Sequence, residues 1–73
     1  SFNEQRELDA LPDHIEALEA EQSVLHEQMA DPAFYRQNGE DVTAAQTRLE
    51  QIDNDLEQAY SRWEELGEIA EAQ

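Results

Sequence analysis

Residues 42–70 read VTAAQTRLEQIDNDLEQAYSRWEELGEIA, and within them Val42, Ala45, Leu49, Ile52, Leu56, Ala59, Trp63, Leu66 and Ala70 recur at gaps alternating between three and four. That alternation is the a/d seam of a heptad repeat: a slightly under-wound helix keeps such a stripe turned toward one partner along its whole length. Few apolar residues fall off the stripe, so the segment reads as coiled coil rather than as a helix laid on a larger core. Upstream, Leu8, Leu11, Ile15, Leu18, Gln22, Leu25 and Met29 repeat the alternation with one polar a position. Gln22 is expected to fix register there at some cost in stability.

Between the seams lies punctuation. Asp31-Pro32 supplies an N-cap and a proline at the first helical position, which predicts a short helical turn through Phe34 and Tyr35. Asn38-Gly39 should break that turn, and Glu40 and Asp41 place negative charge at the start of the second helix, where its dipole favours it. A connection of roughly ten residues reverses the chain, so the helices should lie antiparallel. The reading is one all-α domain over residues 1–73, an antiparallel two-helix coiled-coil hairpin. Helix 1 is expected over about 3–30, the connection over 31–40 and helix 2 over about 41–69. Each helix would be ~45 Å long at ~1.5 Å per residue.

Pairing the seams about a centre near residue 37 sets Leu8 against Leu66, Leu11 against Trp63, Leu18 against Leu56 and Leu25 against Leu49. Phe34 and Tyr35 are expected to plug the closed end, and Trp63 to be the largest buried contributor. On the flanks, Glu19 is expected to face Asp53 and Glu21 to face Asp55. Such crowding raises carboxylate pKa values, so the hairpin would melt higher near about pH 5 than near about pH 7.5. Pro12 conflicts with the local pattern, because inside a helix it deletes a hydrogen bond and clashes with the preceding turn, at ~3 kcal/mol. A kink near Pro12, or a short break over 9–12 with Asp9 capping a restarted helix, is the expected response.

Composition narrows the function classes. There is no cysteine, which excludes disulfides and thiolate metal sites. Nineteen acidic residues stand against four arginines and no lysine, a formal charge of −15 that argues against unaided attraction to phosphate or anionic lipid. No apolar run is long enough to span a membrane, and Ser1-Phe2-Asn3-Glu4 does not open a signal peptide. The missing initiator methionine is expected of a piece excised from a longer chain.

Candidate chemistry is sparse. His26-Glu27-Gln28-Met29-Ala30 begins like a zinc-protease motif, but Ala30 stands where the second histidine ligand belongs. Asp53, Asp55, Glu57 and Glu64 mimic calcium-loop positions, yet Gln58 replaces the required glycine and the heptad runs straight through. Without a glycine-rich phosphate loop or a pocket, no catalytic, metal or cofactor site is expected in this chain. Arg48 and Arg62 occupy g positions and read first as partners of nearby acids. Arg6 and Arg36 are more accessible, and Tyr35 beside Arg36 has a ring able to stack on a base. Arg6, Tyr35, Arg36, Arg48 and Arg62 are therefore the candidate nucleic-acid contacts.

Four segments carry a family resemblance: Ser1-Phe2-Asn3-Glu4-Gln5-Arg6-Glu7-Leu8 through Leu11-Pro12; Ile15, Leu18, Glu19 and Glu21; Asp31-Pro32-Ala33-Phe34-Tyr35; and Arg62-Trp63-Glu64-Glu65-Leu66. In order and spacing they resemble the C-terminal coiled-coil domain of Uup-type ABC-F ATP-binding cassette proteins. The resemblance implies a cytoplasmic parent whose two cassettes bind ATP and magnesium, with this domain non-catalytic and monomeric in isolation. It implies partners in DNA or in the ribosome and its RNA, and no membrane. Family members commonly carry lysines along the hairpin, including at the position of Asn3; this sequence has none. The alternative is a protein-interaction or spacer coiled coil whose acidic faces meet basic proteins. Association of two chains through the same seams is a third.

Overall fold

Ser1 opens the first helix by local chemistry: its hydroxyl accepts the Glu4 N–H at 3.3 Å, and the Glu4 carboxylate sits in the first turn, where the helix dipole favours an anion. The computed structural model describes residues 1–36 and 39–72. In it α1 spans Phe2–Ala30, α2 Pro32–Arg36 and α3 Gly39–Ala72. The two long helices pack side by side into a rod of 55 × 15 × 15 Å.

Asp31 handles both sides of the first junction. Its backbone is extended (φ −88°, ψ 116°), and its N–H closes α1 on the Gln28 carbonyl at 3.2 Å. Its carboxylate then accepts the Ala33 N–H and its carbonyl the Phe34 N–H, both at 3.0 Å, which starts α2 with Pro32 in the first position. Phe34 is half-buried and meets the Tyr35 ring edge-on, with centroids 6.2 Å apart at 82°. Tyr35 itself is 50% exposed, so it does not plug the closed end. Of the expected Asn38-Gly39 break, Asn38 lies outside the described residues and Gly39 is the first residue of α3. That helix starts at Gly39 rather than about 41 and continues to Ala72 rather than about 69.

The break expected over 9–12 is absent. α1 is one helix with Pro12 inside it, and the Asp9 carboxylate accepts the Gln5 side-chain amide one turn back at 2.9 Å instead of capping a new helix. Tertiary packing accounts for this: Leu8, Leu11 and Ile15 bury against α3 on both sides of the proline, while Pro12 points to solvent. Interrupting the helix would misalign that stripe.

The antiparallel seam is as the heptads require. Leu11, Ile15, Leu18, Ala45, Ile52, Leu56, Ala59 and Leu66 are buried, and Leu8, Leu25 and Ile69 pack against them. Glu7 pairs with Arg62 and Glu21 with Arg48, so fourteen residues forward on α1 (7 to 21) is fourteen back on α3 (62 to 48). Gln22 reaches across to Asp53, its amide donating at 2.8 Å.

Trp63 departs from its expected place. It is 43% exposed, and the far end of the seam is closed by Ile69 rather than Ala70. A seam between two helices has no third layer, and the small Ala59 shares a groove with Leu11, so an indole has nowhere to be enclosed. It turns outward beside Tyr60, ring centroids 6.5 Å apart.

Candidate nucleic-acid interface

Cations decide where a phosphate backbone is met, because phosphate contacts supply most non-specific affinity. Heptad geometry distributes the four arginines of this chain over three places. In an antiparallel pair, g positions face g positions across one flank and e positions face e positions across the other. Arg48 and Arg62 are g residues, and both are engaged by acids of α1. The Arg48 guanidinium donates from Nε and Nη2 to the two Glu21 oxygens at 2.6 and 2.7 Å, and from Nη1 to Gln51 at 3.4 Å. Arg62 repeats the arrangement, with Nε and Nη2 donating to Glu7 at 2.7 and 3.0 Å and Nη1 to Glu65 at 3.0 Å. Two-pronged pairing of this kind matches the planar fork of arginine to a carboxylate.

Arg36 stands exposed in the last turn of α2, adjoining Tyr35 at the tip. Arg6 lies at the opposite end of the rod, its guanidinium 5.8 Å from the Phe2 ring centroid. The five candidate residues therefore form no single patch: Tyr35 and Arg36 share the tip, Arg6 is at the far end, and Arg48 and Arg62 clasp the two helices.

The flank pairs correct the expected like-charge contacts. Glu21 meets Arg48 rather than Asp55, and Glu19 accepts the Tyr60 hydroxyl at 3.0 Å while Asp53 accepts from Gln22. The expected stabilisation toward pH 5 loses the contacts on which it rested. Instead, hydrogen bonding from Arg48, opposed by some desolvation and helped by its charge, holds the Glu21 carboxyl below the usual carboxylate range. Arg62 does the same for Glu7. In return the hydrogen bonds from these acids push both guanidinium pKa values up. The Glu19 hydrogen bond likewise pushes the Tyr60 phenol up.

A lowered folded-state pKa contributes stability that is present above the unfolded value, about 4.3, and is lost as pH falls through the folded value. Glu21→Gln is expected to lower the melting temperature at neutral pH. Its difference from the unsubstituted chain should shrink as pH falls below the unfolded value and close as it passes through the lower folded value. Thermal melts across that range check this, and a difference that persists unchanged in acid would show that the Glu21 charge is not its source.

The described residues offer shallow open grooves, and among them no three His, Asp or Glu side chains converge as a metal site would need. No described helix is long and apolar enough to cross a membrane. What sequence reasoning missed is the aromatic pair Tyr60 and Trp63, 44% and 43% exposed on the e-position flank. The signal was available in the e position of Tyr60, opposite Glu19.

The rod and its flank pairing define the class: an antiparallel two-helix coiled-coil domain. The chain belongs to the ABC transporter C-terminal domain family, whose model matches residues 1–68. It is 46% identical over 69 residues to the ATP-binding protein Uup of Haemophilus influenzae, covering 93% of this chain and 10% of that protein. To the ATP-binding protein Uup of Escherichia coli strain K12 it is 39% identical over 66 residues, covering 90% and 10%. The chain thus spans about a tenth of the length of these relatives. Among solved structures, the C-terminal domain of the Uup protein, a DNA-binding coiled coil motif, superposes with a TM-score of 0.90 at 36% identity. That match covers all of this chain and 86% of the other.

Proposed function

We propose that this chain is a non-catalytic coiled-coil module of a larger ATP-binding cassette protein, and that it brings the tip of its hairpin to nucleic acid. The observation that carries the reading is the end-to-end likeness to a DNA-binding coiled coil, with a TM-score of 0.90 over the whole chain. In this reading ATP and magnesium belong to the cassettes of a cytoplasmic parent, whose target is DNA or ribosomal RNA. Tyr35 supplies a ring for base stacking and Arg36 a phosphate contact, with Arg6 as a separate contact at the other end. Arg48 and Arg62 hold the helices together. The second reading, a protein-interaction or spacer coiled coil, is favoured by the net charge of −15, which repels phosphate.

The tip and the open end are separated by most of a 55 Å rod, so about two phosphates can be engaged against that repulsion. The isolated chain is therefore expected to bind labelled duplex DNA at low salt with a dissociation constant weaker than ~10⁻⁴ M. The parent protein should bind duplex DNA or a ribosomal RNA fragment more tightly with this domain than without it. Equal affinity after its removal would sink the reading. Micromolar binding by the isolated chain would show that local geometry overrides its charge.

A further inference from the structure

The two flanks of the rod differ in charge and in surface chemistry. The g-position flank carries both interhelical arginine pairs. The e-position flank carries neither arginine, and in its half toward the open end Tyr60, Trp63 and Gly67 line an open apolar groove with Glu64. Glu19 bounds it from α1 through the Tyr60 hydroxyl, Glu16 lies three residues before Glu19, and Glu57 lies one helical turn before Tyr60. All four of these glutamates are exposed. Two neighbouring aromatic faces on a solvated acidic surface are set up for one kind of guest. A ring face attracts a cation, a rim of carboxylates attracts it further, and both repel phosphate.

We propose that the Tyr60–Trp63 groove docks a basic segment of a partner polypeptide, placing a lysine or arginine over the aromatic rings and its cationic neighbours against Glu19, Glu57 and Glu64. The surface is separate from the hairpin tip, so it stands whether or not the tip touches nucleic acid. A nucleic acid fits it poorly, because a base stacked on Trp63 would bring its phosphates against the glutamates. A second copy of this chain fits it poorly too: each copy carries −15, and Arg48 and Arg62 are already paired within their own rod.

Trp63 is the sole tryptophan, so its emission reports on the groove directly. The test titrates the 73-residue chain with a synthetic amphipathic lysine–leucine peptide at low salt. A saturable shift of Trp63 emission is expected, weakened by added salt. By calorimetry, Trp63→Ala and Tyr60→Ala should each weaken binding about tenfold with helical circular dichroism retained. Val24→Ala, exposed one turn from Glu21 on the other flank, should leave it unchanged. Should an aromatic substitution unfold the rod, the double substitution Glu19→Gln, Glu64→Gln keeps both rings and is expected to weaken binding at low salt. No saturable shift would overturn the proposal. So would an equal shift with duplex DNA, a shift that follows the concentration of the chain alone, or equal weakening by Val24→Ala.

Discussion

Ile52→Ala is expected to remove most of the stability of this domain. Ile52 is 0% exposed, in the middle of α3, and together with Leu66 at 1% it is one of the two large side chains that the seam encloses fully. Truncating a buried isoleucine costs ~2–5 kcal/mol, through lost transfer energy and the cavity left behind. A single core of this size rarely supplies more than about 3–5 kcal/mol. Helical circular dichroism at 25 °C should therefore fall substantially, and Ile52→Asp, which places a charge in the same site, should abolish it. Trp63→Ala should cost clearly less, because its ring is 43% exposed. If Trp63→Ala proved the more damaging substitution, the burial order along α3 would be wrong.

Pro12→Ala is expected to act about as strongly in the opposite direction. Pro12 has no N–H to donate to the Leu8 carbonyl, and its ring crowds the turn before it, a cost of ~3 kcal/mol inside a helix. Because α1 runs unbroken from Phe2 to Ala30 and Pro12 is exposed, alanine would restore the hydrogen bond without disturbing a buried contact. The denaturation midpoint should rise markedly. No change, or a fall, would mean that the chain bends at Pro12 in a way the alanine variant cannot reproduce.

The two cases show what was legible in the sequence. The heptad stripe located the buried residues of both helices, and Asp31-Pro32 located the turn, because each is a local signal with one stereochemical outcome. Of the two responses expected at Pro12, a kink or a break, the break does not occur, since the cost of the proline is local whereas the burial of Leu8, Leu11 and Ile15 that outweighs it is tertiary. Trp63 was misplaced because an a position records direction but not the width of the seam. The arginines were legible as helix-pairing residues from their g positions. Their partners Glu7 and Glu21 follow once g is set against g; the expected Glu21–Asp55 and Glu19–Asp53 contacts respected that geometry but took the neighbour one heptad away from the actual partners, Arg48 and Tyr60. The exposed aromatic pair was least legible, because the a position of Trp63 points into the seam and only the e position of Tyr60, opposite Glu19, signals the flank.

In the proposed function, nucleic acid meets the hairpin tip while the flank arginines hold the rod together. The most direct measurement titrates labelled duplex DNA with the parent protein carrying either Tyr35→Ala with Arg36→Ala or Arg48→Ala with Arg62→Ala. The tip pair should weaken binding and leave the melting temperature of the isolated domain near its original value. The flank pair should lower that melting temperature and leave DNA affinity largely intact. Loss of DNA affinity on the flank substitutions, with none on the tip substitutions, would contradict the proposed function.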